Sequence, residues 1–351
     1  MRTQEHMTRL DPAPSPAGVL SRLADFREMV IIGIILAACV IMGIVSPPFR
    51  TLDNLWTILL AVATQAIVAV GMTALLVSGG FDLSVGSTVG LTGAVVAMCM
   101  LQLLRIGGSF ASSASLFEAW TVISVFLAIL AGLVLGTLIG TINGLIIAKV
   151  RINAFIATLA MMWIVRGALE VITGGRNIYG LPKSFTQIGQ GKLWVIQFPI
   201  IISIVLVVIG DLLLRKSRFF RQNYYIGGNE KAAILSGIRV NRMKIFNYAL
   251  TGFLAAVAGV IMTARFGSAS TTTGKDLELQ VISAVIIGGA SLQGGEGTVL
   301  GSFLGCILMA IIITSLNLLG VDIYWQRLII GVTLLLAVMI DTVGKMRKGI
   351  L

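Results

Sequence analysis

The sequence has very few of the residues on which enzymes rely for chemistry. Of its 351 residues only one is a histidine, His6, and only three are cysteines. It contains no HExxH metal motif and no G-x-S-x-G nucleophile motif. Its three Gly-Lys pairs lack both the earlier glycine and the following Ser/Thr of a phosphate-binding loop. These absences predict a chain with no catalytic residues, no metal site and no cofactor bound by the chain itself.

Charged residues are also scarce. They make up 12% of the chain, whereas soluble domains carry about 25%, and 57% of the residues are hydrophobic. Apolar runs recur that are long enough to cross a hydrocarbon core of about 30 Å. Because backbone groups in lipid must be bonded within their own segment, the sequence predicts an all-α polytopic membrane protein. We predict ten transmembrane helices, over residues 29–46, 52–78, 85–104, 121–148, 154–173, 199–214, 246–264, 278–290, 297–319 and 325–343.

The basic residues indicate how the chain is oriented. The net charge is +11, and 17 of the 26 Lys/Arg lie in the tails and in two predicted loops, 149–153 and 215–245. This distribution is typical of topology signals rather than nucleic-acid binding, and it predicts that both termini are cytoplasmic. We therefore divide the chain into a cytoplasmic N-terminal tail (1–28), a transmembrane domain (29–343) with a cytoplasmic loop (215–245), and a cytoplasmic C-terminal tail (344–351).

The predicted span 278–290 is unusually short. Its 13 residues cover only about 20 Å as a helix. We count it as a crossing, because otherwise the basic C-terminus would lie outside. We expect this span to be tilted, broken or supported by its neighbours.

Two glycine-rich stretches resemble each other. VSGGFDLSVGSTVG (77–90) and IIGGASLQGGEGTVLG (286–301) both place a Gly-Gly pair before a polar residue, a leucine and a glycine-containing helix. Paired breaks of this kind indicate discontinuous helices around a transport path, although similar composition alone can produce the likeness. For Asp82 we favour a helix cap over substrate contact. The candidates for a path or a helix break are Gly79, Gly80, Asp82, Ser84, Gly288 and Gly289.

Other polar and small residues in the spans have structural interpretations. Glycines at 132, 136, 140 and 144 leave one helix face without side chains, which favours close helix packing over a channel lining. Arg166 and Glu170 are four residues apart and are predicted to pair. Four amides either bind a polar solute or bond between helices, and the sequence does not decide between these roles: Gln65, Asn143, Asn153 and Asn317.

The loop at 215–245 carries a small helix that lipid binding does not explain. Residues 215–244 hold eight Lys/Arg against one acid, Glu230. Attraction to anionic lipid accounts for the positive charge at 215–221, but not for NEKAAILSGI that follows. There Asn229 is a plausible N-cap and Gly237 is placed to end a helix of about two turns. Ala232 and Ala233 give it a face of small side chains, and such a helix on a loop predicts a docking element for another protein.

At this point the sequence shows a specific resemblance. IGGNEKAAILSGI (226–238) is similar to the coupling segment of membrane subunits of bacterial ATP-binding-cassette (ABC) sugar importers, the family that handles ribose, xylose, galactose and autoinducer-2. The stretches SGGFDLSVGS (78–87), GGASLQGGEGTVLG (288–301) and NAFIATLAMMWIVRGALEVITGGRNIYGLP (153–182) resemble the same family. The similarity runs from about residue 50 to 345, but the segment 107–120 and the N-terminal tail have no match.

The resemblance implies a permease of the bacterial inner membrane that pairs with a second copy or a close relative. It also implies a cytoplasmic ATPase pair that uses ATP and Mg²⁺, and a periplasmic binding protein that delivers the solute. Carried over, the coupling helix comprises Asn229, Glu230, Ala232, Ala233, Gly237 and Ile238. On this basis the Ala233→Arg variant would insert into the membrane but would not transport solute, because a large charged side chain would displace the groove of the ATPase.

Two other interpretations stay open. One is a related ABC permease for branched-chain amino acids or nucleosides. The other is a stand-alone ion-coupled transporter, which needs charged residues in the centres of its spans, and the sequence offers few. Which sugar or solute is carried cannot be deduced from the sequence.

Overall fold

The computed structural model describes residues 16–110 and 113–347, and it is almost entirely helical. A hairpin of two-residue strands, β1 (Lys192–Leu193) and β2 (Ile196–Gln197), a 3₁₀ helix at Pro47–Arg50 and a π-helix at Ile146–Val150 complete the described elements. The helices within these ranges are α1 (Pro16–Val45), α2 (Leu52–Val77), α3 (Val85–Phe110), α4 (Ala114–Leu145), α5 (Ala154–Thr173), α6 (Lys183–Gln190), α7 (Phe198–Lys216), α8 (Arg218–Gly228), α9 (Glu230–Leu235), α10 (Val240–Phe266), α11 (Leu277–Ile287), α12 (Val299–Leu318) and α13 (Ile323–Arg347).

The described helices confirm the predicted fold class. Eight of them are long and apolar enough to cross a membrane, and two shorter apolar helices lie at Leu277–Ile287 and Tyr324–Leu336. The chain is therefore an all-α polytopic membrane protein with some short helices. Helix α5 coincides with its predicted span at both ends.

Several helices extend beyond the predicted membrane spans, although the first candidate span, Glu28–Val45, agrees with the predicted 29–46. Helix α1 begins at Pro16, inside the predicted N-terminal tail, and residues 1–15 lie outside the described part of the chain. The predicted loop at 105–120 is mostly helix, because α3 continues to Phe110 and α4 starts at Ala114. The Trp120 indole donates to the Leu103 carbonyl at 2.7 Å, which joins the two extended helices. In the predicted C-terminal tail, residues 344–347 belong to α13 and residues 348–351 are not described.

The connections between helices gather at two ends of the bundle. We call one of them the basic end, because Arg151, Lys231 and Arg239 lie there. At this end the backbone N–H of Gly295 donates to the Val77 carbonyl at 2.8 Å. At the other, the opposite end, Ile178 and Ala269 form a β-bridge. The segments 78–84, 149–153, 217–239 and 288–298 lie at or near the basic end, and the segments 174–197, 267–276 and 319–322 lie at or near the opposite end.

The glycines of α4 bring two helices into backbone contact. A Cβ atom added at Gly140 would collide with the Tyr248 carbonyl of α10, and one at Gly144 would meet the Ile245 backbone. Gly136 lies equally close to Gly252, whereas Gly132 faces α3. The prediction that this glycine face serves helix packing is confirmed, since any larger residue would separate α4 from α10.

Helix α11 begins well inside the bundle rather than at its surface. It has 11 residues and a length of about 16 Å. The chain before it, at 267–276, dips inward, so that Gly274 packs against Gly86 near the start of α3. The predicted short span is thus half a membrane helix, completed by a non-helical segment.

The inward dip explains why the predicted Arg166–Glu170 pair is wrong. Arg166 lies about 18 Å along α5. Its Nη1 donates to the backbone carbonyls of Thr271 at 3.1 Å and Thr273 at 3.0 Å. Among the salt bridges of the described residues, none joins Arg166 to Glu170. The non-helical segment presents unpaired carbonyls, and the guanidinium satisfies them.

Candidate coupling site

Helix α9 is a short, well-capped helix at the basic end. The Asn229 side-chain oxygen accepts a hydrogen bond from the Ala232 N–H at 3.0 Å, as the N-cap interpretation predicts. Gly237 has a φ of +82°, a left-handed conformation in which the helix terminates. Lys244 of α10 forms a 2.8 Å ion pair with Glu230. These contacts fix α9 against the start of α10.

The orientation of α9 differs from the sequence-based expectation. Ala233 is only 3% exposed and packs with Ile226, Val240 and Met243 in a small apolar cluster. It therefore faces the protein itself, and the reason given for the Ala233→Arg phenotype is wrong. Arginine at this position would first disrupt the packing of α9 on α8 and α10.

The residues that α9 offers to a partner are ones that sequence reasoning missed. Leu235 is 89% exposed and Ile234 is 55% exposed, next to the exposed Ala232. The signal was present, since these are large apolar residues within a strongly basic loop. An exposed apolar pair on a polar surface is the kind of feature that marks a protein contact.

A basic cavity lies beside α9. It has a volume of about 1040 Å³ and is bounded by the 78–81 turn, the loop after α4, and α9 with the start of α10. Arg151, Lys231, Arg239, Arg242 and Lys244 line it, against one acid, Glu230. Its charge suits an acidic surface of a partner protein.

Three glycine pairs, one of them at the end of α8, meet where α8 approaches the end of α2. A Cβ atom at Gly227 would collide with the Val77 carbonyl and with the backbone of Gly294 and Gly295. Gly79 and Gly294 have φ values of +79° and +90°, a region that glycine adopts readily. We call these three glycine pairs, at 79–80, 227–228 and 294–295, the glycine junction. Through it, the loop that carries α9 touches both glycine-rich stretches of the sequence.

Hydrogen bonds tie the glycine junction to its neighbours. The Tyr224 hydroxyl donates to the Gly297 carbonyl at 2.7 Å. Asn247 of α10 donates to Asn223 of α8 at 2.8 Å and to the Ser78 hydroxyl at 3.2 Å. In consequence, a displacement of α8 and α9 must also move α10 and the end of α2.

Asp82 is a buried structural group. It is 1% exposed, and its Oδ1 accepts hydrogen bonds from the Ser84 N–H at 2.8 Å and the Ser84 hydroxyl at 2.7 Å. Asn143 of α4 donates to Asp82 Oδ2 at 3.3 Å and to the Ser84 hydroxyl at 3.0 Å. The Asp82 carboxylate therefore bonds Ser84, the residue just before α3, rather than an N–H of the helix itself, and through Asn143 it links the start of α3 to α4.

The remaining candidates lie at helix ends or between elements. Gly79 and Gly80 follow the end of α2, and Gly288 and Gly289 follow the end of α11. Their role in a translocation path stays a prediction. The four amides bond within the protein: Gln65 to Gln280, Asn143 to Asp82 and Ser84, Asn153 to the N–H of Phe155, and Asn317 to Gln326.

Removal of the Asn143 amide should lower stability. We expect Asn143→Leu to reduce the free energy of unfolding by about 1–3 kcal/mol, because Asp82 loses a buried hydrogen-bond donor. Thermal unfolding of the detergent-solubilised protein measures this as a lower midpoint. The control is Thr141→Val on the same helix, since the Thr141 hydroxyl bonds only to the Thr137 carbonyl of its own helix. Equal midpoints for Asn143→Leu and wild type would contradict the assigned role.

Comparison with known proteins gives consistent matches. A family model described as "Branched-chain amino acid transport system / permease component" matches residues 54–338. The ribose import permease protein RbsC of Haemophilus influenzae is 38% identical over 324 residues, which are 91% of this chain and 93% of the relative. Its counterpart from Bacillus subtilis is 39% identical, over 92% and 94%.

The L-arabinose transport system permease protein AraH of Escherichia coli is 35% identical over 94% of each chain. No solved structure is a significant match. The resemblance inferred from the motifs is confirmed by these relatives, and the family model covers well over half of the chain. The chain belongs to the permease-component family of branched-chain amino acid transport systems, which makes it a transport subunit of an ABC importer.

Proposed function

We propose that this chain forms the transmembrane path for a sugar or sugar-like polar solute in a binding-protein-dependent ABC importer. The observation that carries the proposal is α9, which presents exposed Ile234 and Leu235 on a basic loop and directly follows the end of α8 that forms part of the glycine junction. A stand-alone transporter has no need of a docking helix connected in this way to two helix ends. The names of the relatives, which import ribose or arabinose, support the sugar class.

In this proposal a separate ATPase pair binds ATP and Mg²⁺ at the basic end. The ATPase binds Ile234 and Leu235, and its acidic groups face the basic cavity beside α9. When the ATPase pair closes, α9 moves as a unit with α8. Gly227 passes this movement to the ends of α2 and α11, where their helices break. The path then opens alternately at its two ends, because the helices shift between two packing arrangements.

The same proposal places the protein in the bacterial inner membrane, with its basic end in the cytoplasm. The charge distribution supports this orientation, since the basic loops lie together at one end. A periplasmic binding protein would then deliver solute to the opposite end. A second copy of the chain, or a paralogue, would complete the path.

The competing substrate class is branched-chain amino acids, which the family description names. Deletion of the gene, followed by uptake of radiolabelled D-ribose, L-arabinose and L-leucine, separates the two. We expect at least one sugar uptake to fall to background and to return when the gene is restored, with leucine uptake unchanged. Loss of leucine uptake with normal uptake of both sugars would contradict the sugar proposal.

A further inference from the structure

We propose that a second cavity, at the opposite end of the bundle, is a contact site for the neutral polyhydroxylated solute on its way through the protein. This inference rests on the proposed function and gives it a location. The cavity has a volume of about 550 Å³ and lies between the end of α10, the inward-dipping segment 267–276 and the start of α11. Its size falls within the range of small-molecule sites.

The lining chemistry suits a sugar. Six polar side chains contribute hydroxyl, amide and ammonium groups: Ser268, Ser270, Thr272, Thr273, Lys275 and Gln280. These groups supply both donors and acceptors. The exposed ring of Phe266 provides a flat apolar wall, with the Arg265 guanidinium 5.3 Å from the ring centroid. Hydroxyl-bearing solutes need such a mixture of polar and apolar contact.

The same lining argues against an amino acid. The described residues that line this cavity include no Asp or Glu, its charges are positive (Lys275, with Arg265 beside Phe266), and the neighbouring Asp276 is paired with Arg327. The ammonium group of an amino acid would therefore be desolvated without a carboxylate partner, which is costly. A neutral polyol has no such requirement, so the cavity favours the sugar class over the branched-chain amino acid class.

An unused hydrogen-bonding group lies directly behind Gln280, a lining residue of this cavity. Gln65 Nε2 donates to Gln280 Oε1 at 2.9 Å, and Gln65 lies about 20 Å along α2, near its middle. Gln65 is 5% exposed, and its Oε1 has no hydrogen-bond partner among the described residues. Gln280, whose Oε1 accepts this bond, also lines the cavity. Buried amides seldom leave such capacity unused, and a solute hydroxyl passing Gln280 can take it up.

The wall of the cavity is held in place by its surroundings. The glycines at 86 and 90 of α3 leave room for the backbone of Thr273 and Gly274, where a Cβ atom would collide. Arg166 binds the carbonyls of Thr271 and Thr273 from the other side. The hydroxyl-bearing segment is thus fixed between α3 and α5, as a binding surface needs to be.

Protection of an introduced thiol tests the site directly. The native cysteines at 39, 99 and 306 are replaced by alanine, Ser270→Cys is added, and the complex with its ATPase and binding protein is reconstituted in liposomes. A charged methanethiosulfonate reagent is then added at the opposite end while D-ribose or L-arabinose is imported. We expect the imported sugar to slow labelling, by about tenfold at a concentration ten times its local Kd. Ser109→Cys, exposed and outside the cavity, should label at the same rate with and without sugar.

A second variant separates the cavity from the rest of the path. Gln280→Leu added to Ser270→Cys should reduce the protection by sugar, and Thr272→Val, which removes an exposed hydroxyl, should do so without affecting the fold. Import that proceeds with unprotected Ser270→Cys would overturn the contact site and leave the proposed function intact. Failure of the wild-type complex to import either sugar would instead contradict the proposed function.

Discussion

Replacement of Leu235 by arginine is expected to abolish ATP-driven uptake while the protein still inserts and folds. Leu235 is 89% exposed on α9 and has little packing of its own to lose. If the ATPase docks on it, a charged side chain in a desolvated apolar contact should cost at least 2 kcal/mol, or about thirtyfold in affinity. Co-purification of the ATPase and solute uptake in vesicles both measure the loss.

Two controls accompany the Leu235 experiment. Leu193→Arg places the same charge on an exposed leucine of the β1–β2 hairpin, at the other end of the bundle, and should retain the ATPase. Ala233→Arg should lose the ATPase together with stability, because Ala233 is buried. Wild-type uptake by inserted Leu235→Arg would remove α9 as the docking element.

The second large effect is expected at the glycine junction. Gly227→Ala adds a single methyl group where the Val77 carbonyl and the backbone of Gly294 and Gly295 leave no space. Backbone atoms cannot move aside as a flexible side chain can, so we expect a loss of about 1–3 kcal/mol in unfolding free energy. Because the junction links the docking loop to the ends of α2 and α11, uptake should also fall while the ATPase still binds.

The adjacent glycine provides a matched control. Gly228 has no atom within 4 Å of an added Cβ, so Gly228→Ala should change stability by no more than about 0.5 kcal/mol and preserve uptake. ATP hydrolysis, uptake and thermal unfolding are measured on both variants. Equal behaviour of Gly227→Ala and Gly228→Ala would show that the close contact does not transmit movement.

Local patterns predicted local structure well. Asn229 and Gly237 bracketed α9 because capping chemistry depends on residues within one turn. The four-residue glycine period of α4 predicted a close helix contact because only backbone is left on that face. In both cases the residues that form the pattern lie close together in the sequence, even though the α4 glycines contact a distant helix, α10.

Features that depend on residues outside the local motif were not predictable. Ala233 faces inward because Ile226, Val240 and Met243 enclose it, and a six-residue helix has too little periodicity to show this. Arg166 satisfies carbonyls more than 100 residues away, so its spacing from Glu170 was misleading. The inner start of α11 likewise depends on the glycines of α3, which make room for the dip.

The most direct test of the account is isolation of the protein from its native membrane, followed by mass spectrometry of what co-purifies. We predict that an ABC ATPase co-purifies with the wild-type chain. We predict that it does not co-purify with the same amount of the Leu235→Arg variant. Recovery of the wild-type chain without an ATPase, together with ion-driven uptake in liposomes that contain only this protein, would contradict the assignment of α9 as the coupling helix.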